Sequence, residues 1–369
     1  MVCRFGRIVW LASSALAFAA CGEGSPSPEV SSTGSKVIYG EDDRKEVFEV
    51  DGRLRDVATR SIVAILQKDN LDESDPSNVR IVAEPVGSAL GLCRTERFWD
   101  EPFAASCSGT LIADDLVLTA AHCLGAGMNA RTPDAAKEMC QERRFVFGYY
   151  KDNPSEMHRL TSQDVFSCAE PVVFRKQGAI VGNARVDIDF AVVRLDRSAT
   201  PRFAPVKLRP SAKQLMGSSL TVFGFPSGVP LKVAGNGKVM SVRPEGDFFN
   251  ATVDTFAGNS GSGIFDSKTL EQVGVLLGGE PDYERAGSCA VVSRCSDTGC
   301  DGKRSERIHQ LGLALKVYCA QKEARAELCS KDEWSDEARV IAPLEPSRSR
   351  VPGDWVRDVV SFDRGNVLR

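Results

Sequence analysis

The sequence is poor in histidine, in aromatic residues and in clusters of positive charge. Of its 369 residues only three are histidines and 7% are aromatic, and 46 Lys and Arg face 50 Asp and Glu. No block rich in Lys or Arg and no base-stacking motif is present. This composition argues against nucleic acid as a partner. No internal repeat is present either.

A long hydrophobic run is also missing. The apolar stretch at residues 8–20 follows Arg4 and Arg7 and is shorter than the roughly 20 residues that a spanning helix needs. We therefore predict a signal peptide at residues 1–21 and a Gly/Ser/Pro-rich linker or propeptide at 22–36. Residues 17–19 offer an ordinary cleavage site. Residues 18–21 resemble a lipoprotein box, with Phe18 where Leu is usual, which would place a lipid on Cys21 and attach the chain to a membrane.

Cysteines are plentiful by comparison. Setting aside Cys3 and Cys21 leaves ten of the 12, an even number that predicts up to five disulfides in an exported chain. A zinc site at Cys289, Cys295 and Cys300 is the alternative, but it lacks a nearby histidine and a second CxxC pair. We expect no metal and no cofactor. The expected location is secreted, periplasmic or lipid-anchored at the cell envelope.

Short apolar runs bounded by turn residues predict a closed all-β architecture. They lie at residues 61–67, 109–121, 144–150, 189–195, 219–225, 249–255 and 272–279. One late segment, 305–318, predicts a helix, because Ile308, Leu311 and Leu315 recur at helical spacing after Ser305, a suitable N-cap. Residues 126–143, with Cys140, read as a polar loop, and residues 332–369 read as a surface tail rather than an interaction segment.

Three motifs carry residues suited to acyl transfer: LTAAHC with His122, DFAVVRL with Asp189 and GNSGSG with Ser260. A serine hydroxyl needs a base to take its proton as it attacks, and His122 would be that base and then the acid for the leaving amine. Asp189 would orient the imidazole and stabilise its cation. Asp187 is a competing acid on the same strand face. His158 and His309 stand in polar contexts typical of a surface.

These motifs resemble the signatures of the chymotrypsin-like serine proteases. The order His, Asp, Ser is that of this family and differs from the orders of subtilisins and α/β-hydrolases. Only Asp189 has the family's following pattern of apolar residues, which favours it over Asp187. Asn259 in GNSGSG and the segment VIYGEDDR at 37–44 resemble the bacterial glutamyl-endopeptidase-like branch. The resemblance implies two six-stranded antiparallel β-barrels with a C-terminal helix over residues 37–320, followed by an extension at 321–369.

The resemblance also implies further roles. Gly258 and Ser260 would supply the two backbone N–H groups of an oxyanion hole. Cys107 and Cys123 would form the disulfide of the histidine loop. The resemblance leaves the pairing of the other eight cysteines open, and among them Cys295 with Cys300 is expected to close a small loop.

The sequence differs from the glutamyl-endopeptidase-like branch at positions that determine substrate specificity. Leu276 stands where glutamyl endopeptidases carry a histidine, which puts a preference for glutamate in doubt. Asp254 lies six residues before Ser260, the offset of the pocket aspartate in trypsin-like enzymes. With Thr255, Leu276 and Gly278 it is predicted to bind substrate, and a carboxylate at Asp254 would favour Arg or Lys. An aspartate bonded to its own strand or turn is the alternative.

Activation differs as well. The uncharged Asn259 cannot pair with a new N-terminal amine as the equivalent aspartate of trypsin-like enzymes does. Cleavage after Lys36 would free Val37 as the mature N-terminus of a zymogen. The expected function is therefore a serine endopeptidase acting on proteins or peptides. A catalytically inactive relative serving as a binding or adhesion module is the alternative.

Overall fold

Two rings of hydrogen-bonded strands form most of the part of the chain that the structure describes. The computed structural model describes residues 38–125, 133–181, 184–209, 216–242, 248–279, 282–296, 306–321 and 324–329, to which all structural statements below refer. The predicted signal peptide, the linker and the tail at 332–369 lie outside these residues. No helix in the described ranges is both long and apolar enough to cross a membrane.

The first ring consists of six antiparallel strands. They are β1 (Ile62–Gln67), β2 (Ala105–Ala113), β3 (Leu116–Thr119), β4 (Arg143–Val146), β5 (Val165–Val181) and β6 (Ala184–Leu195). The pairings run β1–β2–β3–β6–β5–β4 and return from β4 to β1, so the barrel is closed.

The second ring repeats this connectivity. Its strands are β7 (Ser219–Gly224), β8 (Lys232–Val242), β9 (Phe248–Ala251), β10 (Gly263–Asp266), β11 (Gln272–Gly278) and β12 (Glu306–Gln310). They pair in the order β7–β8–β9–β12–β11–β10 and back to β7. The predicted fold of two six-stranded antiparallel barrels is confirmed.

Strand β1 shows why the barrel strands read as continuous apolar runs. Alternate side chains of a strand point to opposite faces. Here Ile62, Ala64 and Leu66 pack into one buried cluster while Val63 and Ile65 pack into another. Because both faces are buried, the strand shows no polar alternation.

Shorter elements connect the barrels and extend them. The helices are α1 (Gly52–Ser61), α2 (Val86–Ala89), α3 (Pro133–Gln141) and α4 (Leu311–Cys319). The 3-10 turns are Val47–Glu49, Lys68–Asn70, Ala121–Leu124, Pro226–Gly228 and Ala326–Leu328. The minor strands are Ile38–Tyr39, Lys45–Glu46, Leu71–Asp72, Arg80–Ile81, Lys151–Asn153, Glu156–Met157, Tyr283–Ala286, Cys289–Val292 and Arg294–Cys295.

Two local predictions are wrong. The late helix begins at Leu311, and Ile308 lies in β12, because residues 306–310 pair with β9 and β11 and close the second barrel. The proposed N-cap Ser305 lies outside the described residues. The stretch at 126–143 is not all loop: α3 begins at Pro133, its buried Cys140 is joined to Cys168, and this link holds it against the first barrel.

Four disulfides join described residues: Cys93–Cys289, Cys107–Cys123, Cys140–Cys168 and Cys319–Cys329. Disulfides of this number are typical of exported proteins. The zinc alternative is wrong, because Cys289 is oxidised to a disulfide with Cys93 and offers no thiolate. Cys295 is itself disulfide-bonded, whereas Cys300 lies outside the described residues.

Candidate active site

His122 and Asp189 are brought together by neighbouring strands of the first barrel. His122 lies in the 3-10 turn that follows β3, and Asp189 lies in β6, which pairs with β3. Nδ1 of His122 is 2.8 Å from Oδ2 of Asp189, and the backbone N–H of His122 donates to Oδ1 at 2.9 Å. Both carboxylate oxygens therefore hold the same residue, which fixes the direction of the imidazole ring.

The electrostatics of this pair favour an ionised carboxylate. Burial raises the pKa of Asp189, but the charge and hydrogen bonds of His122, together with the charge of Lys176, outweigh that effect and lower it to about 2. Asp189 is therefore ionised at neutral pH. A negative partner stabilises the imidazolium that forms when His122 takes a proton.

Ser260 lies on the loop before β10, where this loop touches β2 of the first barrel. The backbone N–H of Ser108 donates to the carbonyl of Ser260 at 2.9 Å, and Oγ of Ser108 donates to the carbonyl of Gly258 at 2.7 Å. One residue of the first barrel therefore fixes the loop of the second. The sequence motifs do not point to Ser108, since it is bonded to residues about 150 positions away.

Glycine is required next to Ser260 because the backbone is both left-handed and crowded there. Gly261 has φ of +81°, and a Cβ at this position would lie 2.4 Å from the carbonyl oxygen of Ser108 and 2.7 Å from the backbone N of Ala120. Backbone atoms cannot give way as a flexible side chain can. The Gly in GNSGSG after Ser260 thus lets the loop approach the histidine turn.

The disulfide Cys107–Cys123 joins β2 to the histidine turn. Sγ of Cys123 lies 3.5 Å from the carbonyl oxygen of Ser260, so the bridge is adjacent to the serine loop as well as to His122. The two sulfurs and the His122 ring lie close enough together to suggest a metal site. Both sulfurs are oxidised, however, and supply no thiolate ligand.

Asp254 contacts the N-terminal segment of the described residues. It is 4% exposed, and its carboxylate accepts the backbone N–H of Tyr39 at 2.8 Å and that of Asp43 at 3.3 Å. Burial raises the pKa of Asp254 to about 8, with the charge of Asp43 adding to the rise and the bond from Tyr39 opposing it. Burial likewise raises the pKa of Asp43 to about 6.

This arrangement predicts that the protein loses stability as the pH rises. A carboxyl whose pKa is raised on folding stabilises the native state below its ordinary pKa of 3.8, and this contribution is lost as the pH rises through about 8. We expect the contribution of Asp254 to the free energy of unfolding to fall between about pH 4 and about pH 8, by up to about 1.4 kcal/mol per pH unit. Asp254→Asn keeps an acceptor for Tyr39 and should flatten this part of the curve.

Denaturant unfolding at a series of pH values measures the difference. Glu46, whose pKa burial raises to about 7, titrates in both proteins, so the gap between the two curves reports Asp254 together with its neighbour Asp43. Asp56→Asn, at a side chain with 63% exposure, is the matched control and should leave the curve unchanged. Parallel curves for wild type and Asp254→Asn would contradict the prediction.

The other residues predicted to bind substrate lie in three different environments. Thr255 is fully buried, and its Oγ1 has no hydrogen-bond partner among the described residues. The side chain of Leu276 is also fully buried and packs in the core of the second barrel. Its backbone supports the serine loop instead, through bonds with Gly261 and Ser262 at 2.9 Å. Gly278 is partly exposed, with no atom near the position of a Cβ.

The sequence also contains a competing acid, Asp187, and two further histidines, and the structure describes the side chain of only one of the three. The side chains of Asp187 and His309 lie outside the described residues. Nδ1 of His158 lies 3.1 Å from the carboxylate of Asp152, and its ring stacks on Tyr150. The ring of His158 therefore pairs with Asp152 rather than with Asp189.

The structure buries two positively charged side chains to which no sequence motif points. Arg44 is 4% exposed and lies over the ring of Phe256 at 4.2 Å, beside its ion-pair partner Asp42. Nζ of Lys232, 2% exposed as a residue, contacts Glu101 at 2.7 Å and Glu46 at 3.1 Å. Both anchor the segment at 38–46, which the sequence marked only as a similarity to a mature start.

Residues 107–275, which include His122, Asp189 and Ser260, match the family model described as a trypsin-like peptidase domain. This match spans less than half of the chain. It agrees with the resemblance to the chymotrypsin-like serine proteases that the motifs predicted, while the assignment to the glutamyl-endopeptidase-like branch stays a prediction.

Curated relatives match a part of the chain. Serine protease 23 of Homo sapiens is 26% identical over 183 residues, which cover 44% of this chain and 45% of the relative. The protein of the same name from Rattus norvegicus is 27% identical over 175 residues. The chain thus spans about half the length of these curated relatives.

Solved structures are similar at lower identity. A Glu endopeptidase in complex with MPD has 16% identity and a TM-score of 0.43, and covers 77% of this chain and 99% of its own. The VesB protease of Vibrio cholerae has 15% identity and a TM-score of 0.41, and covers 76% of this chain and 67% of its own.

Proposed function

We propose that this chain is an exported serine endopeptidase that hydrolyses peptide bonds through an acyl-enzyme on Ser260. The observation that carries the proposal is the fixed pair of His122 and Asp189, with both carboxylate oxygens bonded to one histidine. A ring held in this way presents its Nε2 in one direction, as a base for a serine must. The family match over the same residues supports the assignment.

The proposed reaction needs only groups of this chain and water. Oγ of Ser260 attacks the carbonyl carbon of the scissile bond while Nε2 of His122 takes the hydroxyl proton. The oxyanion that forms accepts the N–H groups of Gly258 and Ser260. The C–N bond then breaks, His122 returns the proton to the leaving amine, and water repeats the sequence to release the acid.

Labelling with a serine-directed fluorophosphonate tests this proposal directly. The reagent forms a covalent bond only with an activated serine, so we expect wild type to be labelled and Ser260→Ala to be unlabelled. Ser262→Ala is a matched control, because Ser262 is fully buried in the same loop and its Oγ has no hydrogen bond among the described residues. Folded wild-type protein without any label would overturn the proposal and favour the binding or adhesion module.

The proposal for substrate preference concerns Asp254. Cleavage after Arg or Lys requires its carboxylate to meet the substrate side chain. Its burial and its bonds to Tyr39 and Asp43 favour the other role, in which it anchors the N-terminal segment. We therefore expect a mixed peptide library to give the same cleavage preference with wild type and Asp254→Asn. If wild type cleaves after Arg or Lys and the variant does not, Asp254 recognises the basic side chain of the substrate.

The proposal also includes processing after Lys36 to yield Val37, both of which lie outside the described residues. Its support is the burial of the next residue: Ile38 is fully buried, and its N–H donates to the carbonyl of Ser293 at 3.2 Å. If Cys21 carries a lipid, the same cut would release the enzyme from its membrane. We expect N-terminal sequencing of the active form to begin at Val37. A start at Cys21 or Gly22 would refute it.

A further inference from the structure

The peptide unit between Ala257 and Gly258 is held from outside the triad. The carbonyl oxygen of Ala257 accepts the backbone N–H of Ser227 at 2.6 Å. The N–H of Ala257 donates to Oδ2 of Asp282 at 2.9 Å. Residue 257 is therefore bonded on both sides, and rotation of the following peptide would break the bond to Ser227.

The direction of the Gly258 N–H follows from peptide geometry. In a planar trans peptide the C=O and the next N–H point in opposite directions. With the carbonyl of Ala257 on Ser227, the N–H of Gly258 points away from the turn at 226–228. It donates to no other residue among those described, while the carbonyl of Gly258 accepts Oγ of Ser108. The N–H thus stays available to a ligand beside Ser260.

Ser227 adopts an uncommon conformation to make this bond. Its φ of +50° and ψ of +29° lie in the left-handed region, which residues other than Gly rarely occupy. Its Oγ lies 2.5 Å from the hydroxyl of Tyr283, so a hydrogen bond anchors the side chain. The Tyr283 ring packs at 5.6 Å from Phe256, the residue just before Ala257.

We propose that Ser227, Tyr283 and Asp282 are positioning residues that hold the Ala257–Gly258 peptide with its N–H toward the oxyanion. Tyr283 holds Ser227 in its left-handed conformation, Ser227 holds the carbonyl, and Asp282 holds the preceding N–H. The inference rests on the proposed function, since it assigns the support of one oxyanion donor. None of the three touches the reacting atoms.

Kinetics of Tyr283→Phe test the inference, with a peptide substrate chosen from the library profile. The variant removes only the hydroxyl, so the N–H of Gly258 is loosened rather than lost. We expect kcat to fall about 10-fold with KM within about 2-fold, below the roughly 100- to 1000-fold cost of losing a donor outright. The affinity for the matching peptide aldehyde, which forms an oxyanion-like adduct, should fall by about the same factor as kcat.

Two further variants separate positioning from general damage. Ser227→Gly keeps the N–H and accepts a positive φ but loses the hydroxyl, so it should match Tyr283→Phe, and the double variant should be no worse than either single one. Asp282→Ala should lower kcat, and Asp282→Asn should restore it because the amide oxygen can accept from Ala257. Tyr318→Phe, a buried tyrosine in α4 with one hydrogen bond from Arg325, is the matched control and should leave kcat unchanged.

The outcomes distinguish the two proposals. Wild type without turnover or label contradicts the proposed function, and this inference falls with it. Active wild type whose kcat and aldehyde affinity stay within 2-fold in folded Tyr283→Phe contradicts the inference alone. The inference also fails if the losses of Ser227→Gly and Tyr283→Phe multiply in the double variant, or if KM rises while kcat is unchanged.

Discussion

Replacing Ser260 by alanine is expected to lower kcat about 10⁶-fold, and His122→Ala should cost about as much. In the proposed mechanism the two residues act as one unit: without the base the hydroxyl is a poor nucleophile, and without the hydroxyl the base has nothing to activate. The double variant should therefore be no slower than either single variant. Residual turnover would reflect the oxyanion donors and substrate binding alone. Cleavage of a protein substrate under saturating conditions provides the measurement.

Controls are available for both positions. Ser262→Ala tests a buried serine of the same loop, and His158→Ala tests a histidine that pairs with Asp152 rather than with Asp189. Both should retain wild-type kcat to within a few-fold. Losses at Ser260 and His122 that multiply in the double variant, or a Ser260→Ala protein with several per cent of wild-type activity, would contradict a shared nucleophilic mechanism.

Asp189→Asn is expected to lower kcat about 10⁴-fold while the fold is retained. The amide occupies the same space, but its NH₂ group can donate to the imidazole and favour the wrong tautomer. It also lacks the charge that stabilises the imidazolium. Measuring kcat and thermal unfolding in parallel separates this catalytic effect from a loss of structure.

The adjacent acid supplies the control for this prediction. Asp187→Asn should have wild-type kcat, because Asp189 is the carboxylate that accepts both the ring and the backbone N–H of His122. A large loss at Asp187 with little effect at Asp189 would reverse the assignment.

The lowered pKa of Asp189 also predicts how stability depends on pH in acid. The stabilising contribution of the Asp189 carboxylate is present above its ordinary pKa of 3.8 and is lost as the pH falls through about 2. The acid side of the stability curve should therefore be flatter in Asp189→Asn.

Much of the barrel architecture could be predicted from local patterns. Runs such as residues 61–67 are apolar throughout because both faces of β1 are buried, and this composition marks a strand without any tertiary information. The helix start could not be found in this way. Residues 306–310 have a helical pattern, but closing the second barrel requires a strand between β9 and β11, and that demand prevails over local preference.

The sequence by itself determined the candidate chemistry of this protein, because His122, Asp189 and Ser260 each lie in a short motif whose residue types suit one task. Only the tertiary structure decided what surrounds them. Asp254 stands at a pocket offset in the sequence, yet its partner Tyr39 lies 215 residues away. Ser227 and Tyr283 are 56 residues apart and meet at 2.5 Å. Such contacts arise when the barrels close and bring distant loops together, so no local pattern encodes them.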